Sequence, residues 1–166
     1  MSDPDRLLHG QTREQLDALA VAYEVMPCDP ELADTAAFVA AYGVPPEQSA
    51  NTIVVTGKAP DRPSVACILL ATTALDVNVT VRRELGVRKA SFAGADPVRE
   101  LTGMEIGGVT PFGLPEALPV FVDARVMAAP WIILGGGNRS SKLKLAPAAL
   151  ERLPTVRVIE GLATPR

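Results

Sequence analysis

The sequence predicts an α+β fold: one domain with a mixed, mostly antiparallel sheet of about six or seven strands and flanking helices. Three observations lead there. The 166 residues are 48% hydrophobic and 21% charged, an ordinary globular composition with enough apolar material for one core. Short β-branched apolar runs recur along the chain, punctuated by its 15 prolines and 13 glycines. Helical spacings fall between some of these runs, but without the strict strand–helix alternation of a doubly wound sheet. The chain has no internal repeat, low-complexity tract or linker.

The elements follow in order. Residues 1–11 read as a flexible N-terminus. In TREQLDALA (12–20), Thr12 is a candidate cap and Leu16, Leu19 and Ala20 share helical spacing. VAYEVM (21–26) is strand-like and is closed by the turn residues Pro27-Cys28-Asp29-Pro30. Asp34 is placed to cap a helix through TAAFVAAYG, which Gly43 ends. NTIVVTG (51–57) and SVACILLA (64–71), joined by KAPDRP, predict an antiparallel hairpin. NVTVRRELG (78–86) predicts a short helix, RKASFAG (88–94) a strand, and Asp96-Pro97 the start of another helix. LPVFVD (118–123), WIILGGG (131–137) and SKLKLAP (141–147) predict strands, ALERL (149–153) a last helix, and TVRVIE (155–160) a final strand.

Several chemistries are excluded. The only histidine, His9, lies close to the terminus, so a Ser-His-Asp or Cys-His nucleophile lacks its base. Cys28 and Cys67 stand far apart without a CxxC, which disfavours structural zinc and makes both read as small buried hydrophobes. No EF-hand, H-E-x-x-H or Walker A pattern occurs, and neither metal nor cofactor is expected. No apolar run reaches membrane-spanning length and MSDPDRLLHG lacks a signal core, so a cytoplasmic location without membrane association is expected. The net charge of −3 gives no global attraction to nucleic acid, and DNA is not expected as a partner.

What remains is a site made of backbone and small polar groups. GGVTPFGLP (107–115) packs three glycines and two prolines among apolar residues, a rigid loop too apolar for an ordinary solvated turn. Gly136, within WIILGGGNRSS, and Arg139 beyond it fit either an anion cradle or a glycine-rich hairpin. Lys142 and Lys144 share one face of their strand and fit either a solvated edge or an RNA-backbone contact. Arg82, Arg83, Arg88 and Lys89 carry the same two readings. Asn51-Thr52 opens an otherwise apolar strand, as a polar strand end or as part of a site, and Asp123 reads as a helix cap rather than a base.

The stretches SANTIVV (49–55), LGVRKASF (85–92), ELTGMEIGGVTPFGLP (100–115) and PVFVDARV (119–126) together resemble the YbaK/prolyl-tRNA deacylase (ProX-like) family of aminoacyl-tRNA editing domains. The resemblance runs from about Tyr23 to Leu153. It implies a freestanding, metal-independent deacylase that hydrolyses the ester of a mischarged tRNA, typically cysteine or alanine on tRNAPro. The expected partners are aminoacyl-tRNA and an aminoacyl-tRNA synthetase. It also implies that Asn51, Gly108 and Thr110 carry the chemistry, while Thr52, Gly107, Val109, Pro111, Phe112 and Gly113 surround the aminoacyl-ribose. Two positions depart from the family. Asn51 stands where the family has a lysine, and the SKLKL strand carries lysines where the family often has an acidic residue. An asparagine can hydrogen-bond a substrate but supplies no charge.

Two other readings stay open: a member that binds charged tRNA or a synthetase without turnover, and a hydrolase of a small acyl ester unrelated to tRNA.

Overall fold

Strands form where β-branched and apolar residues concentrate, and glycines and prolines delimit them. The computed structural model describes residues 4–166. Its strands are β1 (Glu24–Pro27), β2 (Ala50–Gly57), β3 (Ser64–Leu70), β4 (Thr73–Leu75), β5 (Ala90–Phe92), β6 (Val120–Asp123), β7 (Ile132–Gly135), β8 (Ser141–Leu145), β9 (Val156–Ile159) and β10 (Ala163–Pro165). Its helices are α1 (Gly10–Ala18), α2 (Thr35–Tyr42), α3 (Arg82–Leu85), α4 (Ala95–Thr102) and α5 (Ala124–Met127).

The strands divide into a five-stranded sheet in the order β5-β2-β3-β6-β9, a three-stranded sheet β1-β8-β7, and the pair β10-β4. Among the strand pairs of the described residues, β3–β6 and β6–β9 run parallel and the other five antiparallel, so the pairing is mixed and mostly antiparallel. The predicted hairpin is β2–β3, in register from Ala50↔Leu70 to Thr56↔Ser64. A parallel bridge between Ser49 and Ile133 ties the start of β2 to β7 and so joins the two larger sheets.

The central strands β3 and β6 of the five-stranded sheet are buried on both faces, which is why they read as unbroken apolar runs. Ala66, Ile68, Val120 and Val122 face the main core with Leu16, Leu134, Leu143 and Leu150. Val65, Cys67 and Phe121 face the opposite side with Val77, Val81 and Leu162. Both cysteines are buried free thiols, and burial pushes the Cys67 thiol up to about 12. Among the described residues, no helix is long and apolar enough to cross a membrane.

Some elements differ from the sequence expectation. Residues 1–3 of the expected flexible terminus lie outside the described residues. The rest of that segment carries a 3-10 turn at Pro4–Leu7 and the start of α1; Leu8 enters the main core and His9 N–H donates to Gly136 O. The helix expected over 78–86 begins as a π-helical turn at Val77–Val81, held by Asp76, which accepts from the Thr80 hydroxyl at 2.7 Å. It passes into α3 and stops at Gly86 in the left-handed region, as expected. SKLKL is not a sheet edge: β8 lies between β1 and β7, and Lys142 is buried. The short pair β4–β10 carries too little apolar pattern to be read from sequence.

Candidate functional site

β5 covers only Val55–Gly57 of β2, so the same edge of β2 is left without a strand from Ala50 to Val54. The Val54 carbonyl on this edge accepts from Ala93 N–H at 2.9 Å. Peptide groups alternate along a strand, which turns those of Thr52 to the same open edge. Two cavities lie along it. The first, about 190 Å³, is bounded by β2, α2, the start of the 107–115 loop and the β7–β8 hairpin. The second, about 240 Å³, extends toward Phe92 and α4. They share Thr52, Ile53, Ile106, Gly107 and Val109.

The Thr52 hydroxyl oxygen is buried at this junction and has no hydrogen-bond partner. A buried polar atom without a partner is uncommon in a folded chain and marks a place where a ligand or water completes the bonding. Beside it, the Asn51 side-chain oxygen accepts from the Thr35 hydroxyl at the start of α2, which leaves the Asn51 amide as its free donor. Asp34 occupies the cap position of α2 but makes no cap bond. Its carboxylate instead pairs with Arg139 at 3.1 Å.

The 107–115 loop only partly serves the cavities. Gly107 and Val109 line both. Gly107 has φ +92, and a Cβ there would overlap the Arg139 guanidinium. Gly108 lies against the backbone of Asn138, where a Cβ would fall 2.2 Å from its carbonyl oxygen. The Gly108 N–H donates to Glu105 O at 2.9 Å, and its carbonyl accepts from Gly137 N–H at 2.7 Å. Gly108 is therefore a wedge between two loops, with its donor already committed. Farther along, Thr110 is fully buried with an unpartnered hydroxyl, outside both cavities. Pro111 is buried, and Phe112 packs in the main core with its carbonyl accepting from the Thr12 hydroxyl at 2.9 Å. Gly113 N–H donates to the Gln15 side chain. This half of the loop is an anchor onto α1.

The glycine run after β7 behaves similarly. Gly135 lines the first cavity, whereas Gly136 turns away and bonds to Ser141 and His9. Arg139 clamps three segments, donating to Pro30 O and Ile106 O at 2.9 Å each as well as to Asp34. It holds the cavity wall from behind.

Sequence reasoning missed Lys142 as a site residue. Its register partner is Gly135, which places it on the face that α2 and the loop cover. It is 6% exposed and lines the first cavity. Its ammonium donates to Ala33 O at 2.6 Å and to Gly107 O at 3.1 Å, and it stands 5.1 Å from the centre of the Phe38 ring. Burial lowers its pKa and nearby Arg139 adds to that, while Cys28 and then Asp34 oppose it. Nothing in SKLKL separates Lys142 from Lys144, which lies 4.4 Å over the Trp131 ring, because α2 is what covers one and leaves the other. The structure thus brings Asn51, Thr52, Gly107 and Val109 together. It leaves Gly108, Thr110, Pro111, Phe112, Gly113, Gly136 and Arg139 behind the cavity walls.

Residues 29–153 match the family model of the aminoacyl-tRNA editing domain. The chain is 34% identical over 70 residues to the protein YwhH of Bacillus subtilis (strain 168), a match covering 42% of this chain and 45% of YwhH. Among solved structures it is similar to the hypothetical protein APE2540, with a TM-score of 0.81 and 22% identity over 93% of this chain and 99% of that one. It is also similar to a candidate trans-editing enzyme for prolyl tRNA synthetase, with a TM-score of 0.78 and 22% identity over 96% of this chain and 97% of the other. At this identity, the two structures establish a shared fold.

Proposed function

This chain belongs to the aminoacyl-tRNA editing domain family, and from that premise we propose that it is a trans-acting deacylase for mischarged tRNA. The expected substrate is a small amino acid, such as cysteine or alanine, esterified to tRNAPro. The observation that carries the reading is the unpartnered Thr52 hydroxyl at the junction of two adjoining cavities on an open strand edge. An aminoacyl-adenosine end has two parts joined at an ester, and the cleft has two lobes joined at a polar atom.

In this reading the smaller lobe takes the aminoacyl group. Phe38, Val109 and Ile133 limit its size, and size is how an editing pocket sorts small side chains. The larger lobe takes the terminal adenosine, with Phe92, 59% exposed, as the surface on which its base stacks. The Thr52 hydroxyl and peptide N–H, and the Asn51 amide, hold the ester and ribose oxygens. The step uses water and donors of the chain, in the cytoplasm, alongside the synthetase that makes the error.

Purified protein incubated with Cys-, Ala- and Ser-charged tRNAPro should release the amino acid above the buffer rate, and Phe92→Ala should raise KM with little change in melting temperature. No release from any of the three refutes deacylation. Tight binding without release would instead favour a non-catalytic binding module, the reading that Asn51 in place of a lysine motivates. Activity on small acyl esters that does not require the tRNA would favour the third reading.

A further inference from the structure

We infer that Lys142 supplies the positive charge of this site, as the residue whose ammonium faces the ester carbonyl oxygen and stabilises the oxyanion formed there; the inference rests on the deacylase reading above. No side chain on β2 brings a cation to the first cavity, since positions 51 and 52 are Asn and Thr. Arg139, the other cation nearby, spends its guanidinium on Pro30, Asp34 and Ile106 and does not line the cavity. Lys142 does line it, entering from β8 across from β2.

The geometry favours a charged, ordered donor. The 2.6 Å bond to Ala33 O has the length of a charge-assisted hydrogen bond. The Phe38 ring favours a cation at 5.1 Å. An ammonium has three donors, and two are fixed on Ala33 O and Gly107 O, leaving the third for the cavity. The same bonds tie the turn that precedes α2 to the start of the 107–115 loop, so the donor is held still before substrate arrives. A charge held in place before the reaction is the arrangement that lowers the barrier to a developing oxyanion.

The step balances with water alone. The water oxygen bonds to the ester carbonyl carbon and the C=O π pair moves onto oxygen, opposite Lys142. Collapse re-forms C=O and breaks the bond to the ribose oxygen. The proton given up by the water ends on that ribose oxygen, giving the free amino acid and an uncharged tRNA end.

The test measures kcat, KM and pH profiles on the charged tRNA that the natural protein turns over. Lys142→Met keeps an unbranched stem of similar bulk and should lower kcat by about 100-fold or more, the usual loss for an oxyanion donor, with KM within about threefold. Asn51→Lys combined with Lys142→Met, which returns a cation to the cavity from β2, should recover at least about tenfold of that loss. In the natural protein kcat should decline at alkaline pH, below the ordinary lysine value, as the ammonium loses its proton. Lys142→Met retaining natural kcat, or a raised KM and lowered melting temperature with no change in kcat, overturns the inference while leaving deacylation intact. An alkaline limb that persists in the folded Lys142→Met protein also overturns it. If Lys142→Met does not fold, the natural pH profile decides alone: a kcat that shows no alkaline decline below the ordinary lysine value overturns the inference. No turnover by the natural protein removes both readings together.

Discussion

Replacing Thr52 by valine separates stability from function at one atom. The two side chains share a β-branched shape suited to β2, so the change removes little but the hydroxyl. That hydroxyl oxygen is buried and unpartnered. A buried polar group left unsatisfied costs about 1–3 kcal/mol. The adjoining cavities give water access to this atom, so the low end applies and Thr52→Val should stabilise the fold by about 1 kcal/mol. For a domain of this length, that raises the melting temperature by about 2–4 °C. The same change deletes a donor and acceptor for the ester or ribose, and one lost hydrogen bond of about 1.4 kcal/mol lowers kcat/KM by about tenfold. Thermal melting by circular dichroism and deacylation of charged tRNA measure both sides. A melting temperature that falls would mean that the hydroxyl has a protein partner. An unchanged kcat/KM would mean that it faces no substrate. Either result refutes the reasoning.

Gly108→Ala should be strongly destabilising, because its Cβ would lie 2.2 Å from a backbone carbonyl that cannot swing away, and the 2.7 Å Gly137 N–H bond would be strained with it. Overpacking and a weakened hydrogen bond together give a loss of about 2–4 kcal/mol, read as a lower urea midpoint; a loss under about 1 kcal/mol would show that the loops are not wedged there. Asp123 is fully buried, and burial raises its carboxyl pKa despite the amides of Ala163, Arg125 and Ala124 and the Arg125 charge. With the folded value above the unfolded one, the folded state holds the proton more tightly, so this group's contribution to stability is lost as pH rises from about 4 through the folded value. Asp123→Asn lacks that loss, so its stability relative to the natural protein should grow between pH 4 and pH 7; a difference independent of pH across that range contradicts the assignment.

The β2–β3 hairpin was readable because apolar runs of seven and eight residues on either side of KAPDRP, rich in valine and isoleucine, have little else to form. Gly43 and Gly86 were readable as helix stops because left-handed termini favour glycine whatever surrounds them. Thr52 and Gly107 were singled out and do meet at the cavities. The resemblance also put Gly108 among the residues that carry the chemistry, yet its N–H is bonded to Glu105 O. A glycine required for a ligand and a glycine required for another loop look identical in sequence.

Local pattern and motif order are enough to assign the family, the fold class and the two segments that meet at the candidate site. Tertiary structure alone decided which side chains share the cavity. Asp34 caps no helix because Arg139, far along the chain, competes for its carboxylate. Lys142 becomes the buried cation and Lys144 does not, because burial is set by what packs above a strand. That covering helix, α2, comes from a part of the sequence about a hundred residues away.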